Sequence, residues 1–212
     1  MNCLIILNGE QVKNADIDKI INETDYVICA DGGASWAYEA KIRVDTIIGD
    51  FDSLSKDIIK LYENTDTQII KASKEKDETD GVLAIDYALL RGADSVTILG
   101  ATGGRLDHQY GNIMLLKRLQ NKKCKGMMIL ENGYAVMSNQ NIEILCSVGD
   151  TISIVPFDGE LVIDAVDGLK YKIDNGTYFS YGYPIGISNI AVNDTVKIDI
   201  TGGSALIFCY SL

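Results

Sequence analysis

The chain has 212 residues, 47% of them hydrophobic and 23% charged, enough for one large or two small globular domains with a packed core. Its 30 acidic against 19 basic residues, a formal net charge of -11, argue against a nucleic-acid partner, which would need a basic stripe. No apolar run reaches about 18 residues, so no transmembrane helix and no membrane partner is expected.

The first run, "MNCLIILNGEQ", has neither a basic flank nor a small-residue cleavage site, and reads as a buried strand rather than a signal peptide. Short β-type runs follow in order: "CLIILNG" (3–9), "YVICA" (26–30), "TIIGD" (46–50), "TQIIKA" (67–72), "SVTILG" (95–100) and "GMMIL" (126–130). Stretches of helical length separate them, around 16–22, 34–41, 55–64, 79–91 and 106–120. In 79–91, Val82, Ile85 and Leu89 recur at helical spacing and predict an amphipathic face. Near-continuously apolar strands alternating with helices predict an α/β fold, a mostly parallel sheet flanked by helices.

After residue 130 the helical period disappears. "IEILCSV", "DTISIVPF", "ELVIDAV", "YKIDNGTYFS", "TVKIDI" and "SALIFCY" are separated by turn signals: "DG" at 158–159 and 167–168, "NG" at 175–176 and "GG" at 202–203. This pattern predicts a C-terminal all-β domain, an antiparallel sandwich or barrel. The expected organisation is an α/β domain over 1–130 and a β-sandwich domain over 131–212, with no flexible linker. The five cysteines, Cys3, Cys29, Cys124, Cys146 and Cys209, are scattered and lack a C-x-x-C pair, as expected of reduced core cysteines in a cytoplasmic protein.

Four of the predicted strands run into loops rich in Gly and Asp: Asp31-Gly32-Gly33, Asp50-Phe51-Asp52-Ser53, the segment with Asp77, Thr79 and Asp80, and "ATGGRLDH" with Gly103, Gly104, Arg105, Asp107 and His108. In an open parallel sheet the C-terminal strand ends share one edge, where ligands bind. Plainer readings exist for each loop. Asp77 with Asp80 resembles a helix cap with an acidic third position, Ser53 or Ser55 can cap the next helix, and Gly32-Gly33 fits a tight turn. His108 reads as a surface residue at a helix start, and Lys74 and Lys76 as solvated. None of these explains six aspartates at one edge. Two carboxylates about 4 Å apart repel by about 1 kcal/mol in water and about 4 kcal/mol at an effective dielectric near 20. Such a cluster calls for protonation or a cation, and an all-oxygen set selects Mg²⁺, Mn²⁺ or Ca²⁺ over zinc. "GATGGR" adds glycines, a helix start and a forked guanidinium suited to an anion. No P-loop or dinucleotide fingerprint occurs. Metal-assisted phosphoryl chemistry uses all these parts.

"ADGGAS", "DTIIGDFDS", "KEKDETD" and "GATGGRLDHQYGNIMLL", with "DGLKY" (167–171) and "GISN" (186–189), resemble the thiamine pyrophosphokinase (thiamine diphosphokinase) family over nearly the whole chain. The resemblance implies transfer of the diphosphate of ATP to the hydroxyl of thiamine, with Mg²⁺, giving AMP and thiamine diphosphate. It also implies a homodimer whose site is shared between subunits. By the same resemblance Asp31, Asp50, Asp52 and Asp77 are metal ligands, and Gly32, Gly33, Ser53, Gly103, Gly104 and Asn112 bind nucleotide. Thr79, Asp80, Asp107, Ser188 and Asn189 bind thiamine, while Asp80, Arg105 and Asp107 serve catalysis, Asp80 or Asp107 orienting the hydroxyl. The only tryptophan is Trp36, so the β-domain tryptophan of some members is absent, and a tyrosine of "TYFSYGY" (177–183) is the candidate replacement. A metal-dependent phosphohydrolase and a non-enzymatic nucleotide-binding module are the alternatives.

Overall fold

The computed structural model describes residues 1–13, 16–73, 75, 77–173 and 176–211, with the side chain of Tyr178 excluded. Lys74, Lys76 and Asn175 of the "NG" signal lie outside these. Two compact units divide the chain, Met1–Leu130 and Glu131–Leu212.

In the first unit, β1 (Asn2–Ile6), β2 (Tyr26–Ala30), β3 (Thr46–Gly49), β4 (Gln68–Lys71), β5 (Ser95–Leu99) and β6 (Lys125–Leu130) alternate with α1 (Ile17–Asn22), α2 (Gly33–Glu39), α3 (Lys56–Glu63), α4 (Asp80–Leu90) and α5 (Leu106–Asn121). The strands lie in the order β6-β5-β1-β2-β3-β4, all parallel. β3 is buried throughout, and β1 and β2 are buried beyond their first residues, as strands covered on both faces must be. Edge strand β4 is exposed at both ends and half-buried between them. The chain winds outward from β1 to β4, then returns to β5 on the other side of β1, so the strand order reverses between β1 and β5.

Two local expectations change. The buried stripe of α4 is Gly81, Ala84, Ile85 and Ala88; Val82 and Leu89 are only half-buried. Small residues let the helix sit close to the sheet, which outweighs the larger side chains in choosing its face. The cap of α4 is Thr79, whose hydroxyl accepts from the Val82 N–H at 3.3 Å, rather than Asp77. Ser55, not Ser53, caps α3 through the Ile58 N–H. Each cap contributes about 1 kcal/mol.

The second unit contains β7 (Gly133–Ser138), β8 (Ile142–Leu145), β9 (Thr151–Asp167), β10 (Thr177–Phe179), β11 (Asn189–Ile190) and β12 (Thr195–Tyr210). All pairings are antiparallel. "DG" at 158–159 and "GG" at 202–203 do not end strands: they are irregularities within β9 and β12. Asp158 (φ 62°) and Gly203 (φ 77°) are left-handed, and the β9–β12 register shifts between Asp199 and Ser204. A side chain at Gly203 would meet the Glu160 carbonyl at 2.0 Å, so glycine is required where the strands cross over the bulge. Each long strand thus serves two layers. β12 pairs with β8 at its start and β7 at its end, while β9 pairs with β11 and then β10. Ile152, Ile154, Leu161, Ile163, Val196, Ile198 and Ile207, drawn from both halves of the two strands, close one core. Each contributes about 1.5–3 kcal/mol by burial, which offsets the irregular pairing.

Candidate active site

Asp31 and Asp50 directly follow β2 and β3, with Asp52 two residues on, where adjacent parallel strands end at the same edge. Asp31 N–H donates to the Ile48 carbonyl at 2.9 Å, tying the two strand ends together. Asp31 (φ 43°) and Phe51 (φ 63°) are left-handed. An aspartate tolerates this conformation; a phenylalanine there is strained, and the tight turn it makes keeps Asp50 and Asp52 together. Carboxylate oxygens of Asp31, Asp50 and Asp52 lie within 4.8 Å of one another.

Hydrogen bonds organise the trio. The Asp52 N–H donates to Asp50 Oδ1 at 3.1 Å, the Ser53 N–H to Asp31 Oδ2 at 3.2 Å and the Ser53 hydroxyl to Asp52 Oδ1 at 3.0 Å. Ser53, expected to bind nucleotide, therefore spends both donors on the acids. Asp31 is buried, and its Oδ1 has no hydrogen-bond partner among the described residues. Burial pushes the Asp31 carboxyl above the usual carboxylate range; the Ser53 donors act against this, and the charges of Asp80 and Asp52 add to it. An orphaned buried oxygen within an all-carboxylate set fits a hard divalent cation. Asp77 does not join this group among the described residues.

On the β5 side, Arg105 Nη2 and Nε donate to Asp107 Oδ2 at 2.5 Å and Oδ1 at 3.1 Å. The guanidinium bond holds the exposed Asp107 carboxyl down at about 2. Both Asp107 oxygens are thus engaged by Arg105. Asn112 donates to the Ala101 carbonyl at 2.8 Å and braces the glycine loop from α5. His108 is exposed.

The four glycines expected around the nucleotide differ in role. A side chain at Gly33 would strike the Ile6 carbonyl at 2.2 Å, so this glycine serves the approach of α2 to β1. At Gly32 the obstacle is the Asn8 carboxamide, and at Gly103 it is the Glu10 side chain. Gly104 (φ 66°) alone faces open space. Asn8 and Glu10, in the loop after β1, were missed from the sequence; the "NG" dipeptide closing the first strand was the available signal.

In the second unit, a cleft of about 410 Å³ is lined by Tyr171, Phe179, Ile185, Ile187, Ser188 and Asn189, among others. Asn189 Nδ2 donates to the Tyr171 carbonyl at 2.7 Å, and its Oδ1 accepts from the Tyr171 N–H at 3.0 Å and the Ile190 N–H at 2.9 Å. Its carboxamide acts as a brace, leaving little for a ligand. Ser188, exposed and left-handed (φ 63°), hangs from the Ser153 hydroxyl by its N–H. Among the described residues, Tyr171 and Phe179 are the aromatics of the cleft, and Tyr181 and Tyr183 are exposed but do not line it; the Tyr178 side chain lies outside the described part.

A family model described as the thiamin pyrophosphokinase catalytic domain matches residues 17–128, more than half of the chain. The chain belongs to the thiamin pyrophosphokinase family. The vitamin B1 binding domain of thiamin pyrophosphokinase matches residues 139–204, the span that holds the cleft. Thiamine pyrophosphokinase 1 of Oryza sativa subsp. japonica is 29% identical, over 87% of this chain and 78% of its own length. Thiamine pyrophosphokinase of Bacillus subtilis (strain 168) is also 29% identical, over 87% of each chain. The crystal structure of thiamine pyrophosphokinase from Bacillus subtilis superposes with a TM-score of 0.90 at 26% identity, covering 100% of this chain and 99% of that one. The acids of this family member lie inside the catalytic match, whereas Asn8 and Glu10 precede it.

Proposed function

We propose that the chain is a thiamine diphosphokinase, transferring the diphosphate of ATP to the hydroxyl of thiamine and releasing AMP. The observation that carries this is the trio Asp31, Asp50 and Asp52 at one sheet edge, with an orphaned Asp31 oxygen, in a chain whose second unit matches a vitamin B1 binding domain. These three residues would hold Mg²⁺. Bound there with the nucleotide, the ion supplies neutralisation of phosphate charge.

The chain's own residues contribute the rest. Arg105, oriented by Asp107, presents its guanidinium toward phosphate oxygens from the β5 loop. Asp80, in the first turn of α4 and electrostatically coupled to Asp31, orients the thiamine hydroxyl for attack at the β-phosphorus. The pairing of both Asp107 oxygens with Arg105 supports Asp80 as the acid that orients the hydroxyl. The cationic thiazolium suits an acidic site, and the cleft with Tyr171 and Phe179 receives the ring system. Catalysis then rests on positioning and charge stabilisation.

A homodimer with a shared site is part of this reading. It is supported by exposed apolar side chains on each unit: Leu106, Tyr110 and Met114 along α5, and Tyr183, Ile185 and Ile187 beside the cleft. Light scattering should give twice the 23.1 kDa chain mass. Free cysteines, without a disulfide among the described residues, suit the proposed cytoplasmic location. The phosphohydrolase and the binding-module readings gain nothing from relatives that are themselves thiamine pyrophosphokinases. Mixing the protein with ATP, Mg²⁺ and thiamine should yield AMP and thiamine diphosphate in equal amounts. ADP as product, or ATP consumption indifferent to thiamine, would refute the assignment.

A further inference from the structure

The loop after β1 lies at the reversal of strand order, between the acid-bearing loops of β2 and β3 and the glycine loop of β5. Its backbone is fastened to the β5 side: Leu7 N–H donates to the Leu99 carbonyl at 2.9 Å, Gly9 N–H to the Gly100 carbonyl at 2.8 Å and Glu10 N–H to the Thr102 carbonyl at 2.8 Å. Asn8 stands between two of these bonds and leans the other way, onto Gly32. A Cβ at Gly32 would meet Asn8 Oδ1 at 2.3 Å, Cγ at 2.4 Å and Nδ2 at 2.6 Å. Gly32 itself has φ -57° and ψ -16°, a conformation any residue adopts. The glycine is there to make room for the Asn8 side chain.

The carboxamide so seated is exposed and has no hydrogen-bond partner among the described residues, and Gly32, on which it leans, directly follows Asp31 in the chain. A donor packed on the residue that follows Asp31, with no internal partner among the described residues, has an obvious complement. Anionic oxygens brought to that trio with a cation still need donors, and further acids would repel them. A neutral amide supplies two N–H groups at no cost in charge.

We propose that Asn8 is a nucleotide-binding residue, its carboxamide, held in place by the seat at Gly32, donating to a phosphate oxygen of the nucleoside triphosphate. This rests on the proposed diphosphokinase reading and adds to it a residue outside the span matched by the family model. The preformed seat lowers the ordering cost of that contact on binding.

The test begins with wild-type turnover, followed by calorimetric titration of Mg-ATP without thiamine into wild type, Asn8→Ala, Asn8→Asp, Gly32→Ala and the double variant Asn8→Ala with Gly32→Ala. Asn8→Ala should weaken Mg-ATP binding roughly tenfold, with the thiamine KM unchanged. Asn8→Asp keeps the shape that fills the seat but replaces the donor with a charge, and should lose more, roughly a hundredfold. Gly32→Ala should match Asn8→Ala, because it displaces the carboxamide, and the double variant should lose no more than either alone. Melting temperatures should stay within about 1 °C of wild type, since no internal hydrogen bond is removed. Wild-type-like binding by Asn8→Asp, or additive losses in the double variant, would overturn the role of Asn8 while leaving the enzyme's function intact. A wild type that makes no AMP overturns the functional reading, and this one with it.

Discussion

At the edge of the parallel sheet, a left-handed Asp31 and Phe51 hold three carboxylates within 4.8 Å, and one buried oxygen has no partner among the described residues. In the cleft of the β-rich unit the Asn189 carboxamide is instead spent internally, bonding the backbone of Tyr171 and Ile190, while Lys172 and Ser188 line the cleft beside Tyr171, Ile185 and Ile187. The first region gathers unmet charge; the second is a braced cleft whose lining mixes polar and apolar side chains. The difference predicts that substitutions at the edge uncouple activity from stability, whereas those in the cleft brace move both together.

The largest expected effect is at the edge. Asp52→Asn should lower AMP formation by about 10²–10³-fold with an unchanged melting temperature. A loss of less than tenfold would remove Asp52 from the ion's ligands. Next, Asn189→Ala deletes three hydrogen bonds in the cleft and should destabilise by about 2–3 kcal/mol, read from the denaturant midpoint, with thiamine KM rising in parallel. Normal stability with a raised KM would mean that Asn189 reads the substrate directly.

Smaller and opposite in sign is Asp31→Asn. Because burial holds the folded-state pKa of Asp31 above its unfolded value, the native state binds the proton more tightly. The carboxyl therefore costs stability once pH rises above the unfolded value, and the cost is complete above the folded one. Asp31→Asn should stabilise the metal-free protein at pH 7, read as a raised melting temperature. The gain should disappear in acid below the carboxylate range, and Mg-ATP binding should be lost at every pH. Destabilisation at pH 7 would show that the carboxylate is needed by the fold. Smallest of all, Tyr183→Ala at a 65% exposed position should change monomer stability by less than about 0.5 kcal/mol and register only in self-association.

The aspartate edge was legible because chemistry and period coincide: apolar strands must end somewhere, and acids at successive ends can meet only at one rim. Strands β2, β3 and β5 appear within a residue of where apolar runs place them. The glycines were legible as sites but not as roles, since a glycine clears space equally for phosphate, for a helix or for another side chain. Asn8 escaped notice because its importance lies in what it leans on, 24 positions away in the chain at Gly32. The same limit turned two glycine-bearing signals in β9 and β12 into false strand ends. A turn and a bulge share their left-handed residues, and they differ only in whether the partner strand continues alongside.

Strand and helix periods, the caps available and the sign of charge at each strand end were determined by the sequence alone, because each depends on neighbours within a few residues. Which aspartates gather within 4.8 Å, which amides lack a partner among the described residues and which are consumed as braces were decided by the tertiary structure. Those outcomes depend on distances between segments remote in the chain, and a hydrogen-bonding group has only a fixed number of partners to give.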